Sequence, residues 1–295
     1  MISHYIRLLR PRQWVKNSFI FLPIFFNGSL FDPDKFTACL IAFFAFGFAA
    51  SAIYCLNDIR DAAVDRLHPV KCKRPIAARN VSTTGGYIAM IACLLAVGGI
   101  ISFFGGGNCA KTELFTILAI YIAINTAYCL GLKQIALIDV FIISLNFVLR
   151  LLAGSAVTGI MLTHWLVLMT FLLALFLAFA KRRDELLIYE ETGVKSRSNI
   201  NRYNSNFLNL AIAIIVAVTM VCYCMYTVSE TVMSRFGTSY LYITALFVLL
   251  GMLRYLQLTV VDVRSGNPTK ILYTDRFLQC CVLGWITAFV IIIYC

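Results

Sequence analysis

Asn57, Asp58, Asp61 and Asp65 fall within nine residues of a chain that carries only 14 acidic side chains among 295 residues. At helical pitch Asn57, Asp61 and Asp65 recur at i, i+4 and i+8, and Tyr54 joins that face one turn earlier. Like charges at this spacing repel, so the cluster costs stability unless a cation occupies it. Oxygen donors of this kind suit Mg²⁺, which keeps several waters and takes one or two carboxylates together with substrate phosphates. Lys71, Lys73 and Arg74 follow at once and can neutralise phosphate oxygens. Carboxylates followed by a basic turn suit a Mg²⁺–diphosphate site. The plainer alternative is a solvated loop in which Asp and Arg residues pair with one another.

A second charged stretch, Lys181-Arg182-Arg183-Asp184-Glu185-Leu186, has the reverse order, basic first and acidic second. Alone it reads as the charged stop after a membrane span. Together with the first stretch it reads as the other wall of one site, because both cap spans on the same face. Lys16, Lys133 and Arg150 are further candidates for that cavity. Arg150 lies inside an apolar run, where a cation is costly and turns to a polar cavity or a partner. Asp139 is eleven positions earlier, roughly 16 Å along a straight helix, too far for a direct pair. Gly106 to Thr112 resembles a phosphate-binding loop only superficially, since Ala110 precedes the lysine, and it reads as a turn. The three histidines are scattered, and the eleven cysteines show no CxxC pair or zinc spacing.

The elements that must position these groups are membrane helices. The chain is 61% hydrophobic and 13% charged, with a mean hydropathy of +0.85, far from the composition of soluble domains. Nine continuous apolar runs predict helical spans near 17–31, 36–56, 85–104, 113–132, 136–158, 162–180, 207–228, 239–260 and 275–294. Met1 to Lys16, with Arg7, Arg10, Arg12 and Trp14, reads as an interfacial amphipathic segment. The net charge of +11 follows topology: with the N-terminus inside, twenty Lys and Arg lie on the cytoplasmic side. Only Lys35, Lys111 and Arg235 lie outside, and Arg150 and Arg254 fall within spans. Basic residues between apolar runs give no nucleic-acid surface. Cys295 then lies outside, and the charged stretches 57–84 and 181–206 become cytoplasmic loops of a single domain over 1–295. A transporter would instead place charges near the bilayer midplane, within inverted repeats.

Asn57-Asp58-Ile-Arg-Asp61-Ala-Ala-Val-Asp65 matches, at every fixed position, the NDxxDxxxD motif after the second helix of the UbiA superfamily of intramembrane prenyltransferases. The chain resembles that superfamily over nearly its whole length, which implies nine helices around a central cavity open to the cytoplasm. Aromatic prenyltransferases of the superfamily carry a second aspartate-rich motif where this chain has Lys181 to Glu185. Cations in place of carboxylates imply that more phosphate charge is bound directly. Arg10-Pro11-Arg12-Gln13-Trp14-Val15-Lys16-Asn17, His68-Pro69-Val-Lys71-Cys-Lys73-Arg74-Pro75, Leu149-Arg150 and Lys181 to Leu186 resemble the branch that moves 5-phosphoribose from its 1-diphosphate onto a polyprenyl phosphate.

That resemblance implies Mg²⁺ on Asn57 and Asp61, with Asp58 and Asp65 in catalytic support. It places Lys16, Tyr54, Lys71, Lys133 and Arg150 at the sugar phosphate, and Arg74 and Lys181 are the candidates for the acceptor phosphate. It further implies an inner-membrane enzyme whose product feeds cell-envelope arabinose and ribose donors, with room for a homo-oligomer. A prenyl transfer to an aromatic acceptor is the nearest alternative.

Overall fold

The apolar runs fold as helices whose ends are set by the residues expected to break them. The structure, a computed structural model, describes residues 2–67, 71–193, 199–262 and 268–294. His68 and Pro69, the basic residues Lys195, Arg197 and Arg264, and Cys295 lie outside those residues. Among the described residues twelve α-helices follow in order: α1 (Ile2–Leu9), α2 (Leu22–Phe26), α3 (Pro33–Arg66), α4 (Thr83–Phe103), α5 (Asn108–Leu130) and α6 (Ile138–Thr158) come first. Then come α7 (His164–Thr192), α8 (Ser205–Thr227), α9 (Glu230–Phe236), α10 (Ala245–Val260), α11 (Pro268–Thr274) and α12 (Arg276–Tyr294). Asp32 caps α3, accepting from the backbone N–H groups of Asp34 and Lys35 at 3.1 and 3.3 Å, with Pro33 in the first turn. Gly159, at φ +67°, turns the chain after α6.

Among the described residues eight helices are long and apolar enough to cross a membrane. The expected first span, 17–31, is not one of them. Pro11–Phe21 form a 3-10 helix that runs into the short α2, so the interfacial segment expected over 1–16 is split between α1 and this stretch. It runs antiparallel to α3. Arg10 pairs with Asp58, Trp14 donates to Ser51, Asn17 donates to the carbonyl of Phe43, and Cys39 donates to the carbonyl of Ile20. A 3-10 helix rises about 2.0 Å per residue against about 1.5 Å in an α-helix. Residues 11–26 therefore cover about 30 Å in fewer residues than a regular span needs.

The chain divides into two units, Met1–Lys133 with Leu145–Leu162, and Gln134–Ser144 with Thr163–Cys295. In the first, α3 is the central post, and Ala42, Ala45, Ala49 and Ala50 on it are buried. Such small residues let neighbouring helices approach closely. Phe46, Leu114, Leu118, Tyr121 and Leu149 fill the space around them. Gly154 meets the 3-10 stretch so closely that an added Cβ would sit 2.0 Å from the carbonyl oxygen of Ile20. Gly154→Ala is expected to cost about 1–3 kcal/mol through overpacking against fixed backbone. A thermal-unfolding midpoint in detergent equal to wild type would show that the contact relaxes freely. In the second unit α7 packs on α8 and α10 on α12, around Phe176, Phe179, Ile212, Tyr255 and Leu278.

Candidate active site

The acidic cluster is helix, not loop: Asn57 to Arg66 are the last turns of α3, and α7 likewise continues through residue 192. At 34 residues α3 is about 51 Å long. That exceeds a hydrocarbon core of about 30 Å, so its end reaches past the apolar layer. The four side chains divide into two pairs. Asn57 and Asp61 turn to Lys133, whose ammonium lies 3.3 Å from Asn57 Oδ1 and 2.5 Å from Asp61 Oδ1. Asp58 and Asp65, 1% and 3% exposed, turn to arginines. Arg10 Nη2 donates to Asp58 Oδ1 at 2.6 Å, and Arg74 Nη1 reaches Asp65 Oδ2 at 2.6 Å and Asp58 Oδ1 at 3.3 Å.

Asp65 thus leaves the face expected to hold Asn57, Asp61 and Asp65. The reason is rotation: at about 100° per residue, seven positions return within about 20°, so Asp65 aligns with Asp58 more closely than with Asn57. The mutual pairing of Asp and Arg residues, the plainer sequence alternative, holds for Asp58 and Asp65. Asn57 and Asp61 instead converge on one positive point.

Local packing holds these groups. Lys71–Lys73 form a 3-10 turn, and the carbonyl of Pro75 accepts the N–H groups of Asn80 and Val81 at 2.9 and 3.1 Å. Ile76 anchors this turn in a small core with Leu8 of α1, Cys55 and Val81. Arg10 sits at φ 52°, a left-handed conformation that few residues other than glycine adopt. Its guanidinium carbon lies 5.1 Å from the centroid of the Tyr54 ring. Sequence reasoning missed Arg10. Its separation of 48 residues from Asp58 leaves no local signal.

Arg150 is buried in α6, 4% exposed. Its Nε donates to Asn17 Oδ1 at 2.9 Å and its Nη1 to the carbonyl of Asn146 at 2.6 Å. Rings of Phe46, Tyr121 and Phe147 lie 4.7, 5.4 and 5.5 Å from its guanidinium carbon. Lys16 is near enough to Arg150 and Arg10 to feel both charges. Cations held by neutral and aromatic groups keep their charge available to an anion. Asn17, 1% exposed, is a second residue to which sequence reasoning gives no role.

The basic stretch of α7 belongs to the second unit, and two of its three cations are spent inside it. Arg182 and Asp139 are each 0% exposed, and Arg182 Nε lies 3.0 Å from Asp139 Oδ2. Arg182 also pairs with Glu185 on its own helix. Tyr203 donates to Asp139 Oδ1 at 3.0 Å and accepts from the backbone N–H of Leu137 at 2.8 Å. Burial pushes the Tyr203 phenol up to about 12, which keeps it a donor. Arg183 donates to Asn209 Oδ1 at 2.7 Å and to the carbonyl of Thr259 at 2.6 Å. Arg182 and Arg183 are therefore buried and bonded to protein, so the direct binding of phosphate charge expected of this stretch does not fall to them. Lys181 stands half-buried at the head of the stretch.

The residues present fit a hard divalent cation. Asn57 Oδ1 and Asp61 Oδ1 already hold the Lys133 ammonium between them. Among the described residues no group of three His, Cys, Asp or Glu side chains could hold a metal by itself. A metal here would need waters and substrate oxygens to complete its shell, which is the habit of Mg²⁺ rather than of zinc.

Residues 19–279 match the family model described as the UbiA prenyltransferase family. A protein named decaprenyl-phosphate phosphoribosyltransferase, from Mycolicibacterium smegmatis, is 35% identical over 97% of this chain and 91% of its own length. One of the same name from Corynebacterium glutamicum is 32% identical over 98% of this chain and 86% of its own. The structure of a UbiA homolog from Archaeoglobus fulgidus bound to GPP and Mg²⁺ superposes with a TM-score of 0.68 at 17% identity. That match covers 99% of this chain and 100% of the other, and it speaks to the fold.

Proposed function

The chain belongs to the UbiA prenyltransferase family, and from that premise we propose that it moves 5-phosphoribose from 5-phosphoribosyl 1-diphosphate to a polyprenyl phosphate. The observation that carries this is the identity of about a third, along nearly the whole chain, to relatives named for phosphoribosyl transfer to decaprenyl phosphate. The geometry supports it: one oxygen pair suits a metal, Lys133 stands at it, and Arg10, Lys71 and Arg74 gather on another face of the same end of α3. The donor carries a diphosphate and a 5-phosphate, and the acceptor carries a phosphate of its own.

In the reaction an oxygen of the acceptor phosphate forms a bond to C1 of the ribose while the bond from C1 to the diphosphate breaks. Asn57 and Asp61 would hold Mg²⁺, which neutralises charge on the leaving diphosphate. Lys133, already at those oxygens, supplies a further positive charge on the same side. Lys16 and Arg150 bind the donor's phosphates, with Tyr54 beside them. Lys71 and Arg74 draw phosphate to the turn after α3, and Lys181 is assigned to the acceptor. The acceptor oxygen is anionic before it attacks, so no strong general base is required. Catalysis is then neutralisation of the leaving group plus alignment of the incoming oxygen with C1.

The same reading sets the topology. The 3-10 stretch and α2 make a ninth crossing beside the eight regular helices, with the N-terminus inside. The surplus of basic residues on one side supports this orientation. The site then opens at the cytoplasmic face, where a soluble donor and a membrane-borne acceptor can meet.

The test is diphosphate release by the purified protein with Mg²⁺. One substrate pair is 5-phosphoribosyl 1-diphosphate with a polyprenyl phosphate, and the other is a prenyl diphosphate with 4-hydroxybenzoate. Release with the first pair alone, abolished by a chelator, is expected. Release with the second pair alone would make the chain an aromatic prenyltransferase.

A further inference from the structure

On the Asp58 side of the end of α3 lies a cavity of about 270 Å³ lined by Arg7, Arg10, Lys71, Lys73, Arg74 and Asp58. Five basic side chains surround one carboxylate there, and neither Arg7 nor Lys73 has a part in the reaction described above. Cations gathered this closely repel one another, and an anion among them relieves that cost. The one carboxylate offsets only part of that charge, accepting from Arg10 at 2.6 Å and meeting Arg74 at 3.3 Å. Asp65 grips Arg74 from the other side at 2.6 Å. The two aspartates thus fix where two arginines stand, and the left-handed backbone at Arg10 is part of the same arrangement.

We infer that this cavity is a phosphate-monoester subsite that works without metal, and that Asp58 and Asp65 serve it as positioning residues for Arg10 and Arg74. Asn57 and Asp61 leave α3 on another face, toward Lys133, so the motif divides its labour between a metal face and an arginine face. At about 30 Å³ per water the cavity has room for about nine waters. That volume holds a phosphate and part of the group that carries it. A dianionic monoester offers three oxygens to forked guanidinium groups, a match that needs no metal bridge. Two substrates of the proposed reaction end in such a group, the 5-phosphate of the donor and the phosphate of the lipid acceptor. In that respect the inference rests on the proposed function.

The test is calorimetric binding to the full chain in detergent with a chelator present, using ribose 5-phosphate and farnesyl phosphate as separate probes. One of the two is expected to bind, to weaken about tenfold or more in the Arg7→Gln/Lys73→Gln variant, and to recover in Arg7→Lys/Lys73→Arg. Ribose 5-phosphate behaving so assigns the cavity to the donor, and farnesyl phosphate assigns it to the acceptor. Asp58→Asn is expected to weaken the same probe while Mg²⁺-dependent binding of diphosphate persists. Loss of that Mg²⁺-dependent binding would return Asp58 to the metal. No chelator-resistant binding of either probe, or equal binding by the double Gln variant, would overturn the subsite. Intact monoester binding without ribosyl transfer would overturn the function and leave the subsite standing.

Discussion

Asp61→Ala is expected to lower turnover by about 10²-fold or more at saturating Mg²⁺ and saturating substrates. Metal stabilisation of a leaving group supplies several kcal/mol, and each 1.36 kcal/mol is tenfold in rate. Asp61 is the one carboxylate on its face of α3, because Asp58 and Asp65 are engaged by Arg10 and Arg74. With Asp61 removed, Asn57 alone remains, a neutral donor that cannot offset a divalent charge. Lys133 also loses its 2.5 Å partner, and its ammonium can then follow the diphosphate, so some rate survives. Steady-state diphosphate release across a Mg²⁺ titration checks this, and a variant that matches wild type at saturation would remove Asp61 from the metal site.

Arg182→Ala is expected to destabilise the protein by about 3–5 kcal/mol, the usual cost of stripping one partner from a buried ion pair. The cost comes from the group left behind. Asp139 is fully buried and would keep Tyr203 as a hydrogen-bond donor while losing the Arg182 guanidinium at its other oxygen. Removing both charges together should be far milder, since well-packed apolar replacements of a buried pair are often neutral. The comparison is thermal inactivation in detergent of Arg182→Ala against Asp139→Asn/Arg182→Met. Equal losses in the two variants would show that the ion pair is not what holds this end of α7.

Much of this was legible in the sequence, for identifiable reasons. Continuous apolar runs have one solution in a bilayer, so the eight regular spans followed from composition, and Asp32, the glycines at 105–107 and Gly159 marked their ends. The spacing from Asn57 to Asp65 announced an oxygen-rich helix face. Which aspartate meets which cation could not be read, because Arg10 and Lys133 come from distant parts of the chain. A basic run at a membrane edge looks the same whether it waits for phosphate or is spent on buried partners, so the burial of Arg182 and Arg183 could not be read from it. The 3-10 stretch was hidden for a different reason: hydropathy counts residues, and this segment gains more length from each.

That irregular first segment has a consequence for biogenesis. An isolated 3-10 helix has poorer backbone hydrogen bonds than an α-helix, and lipid offers no water to compensate for them. Four of the bonds that steady it come from α3, through Asp58, Ser51, the carbonyl of Phe43 and Cys39, and Arg150 of α6 adds one to Asn17. On the nine-crossing reading the first segment therefore gains its footing only when α3 has emerged beside it. The two enter the bilayer as a hairpin, and the active-site pair Arg10–Asp58 closes at its open end as the last stitch of that insertion.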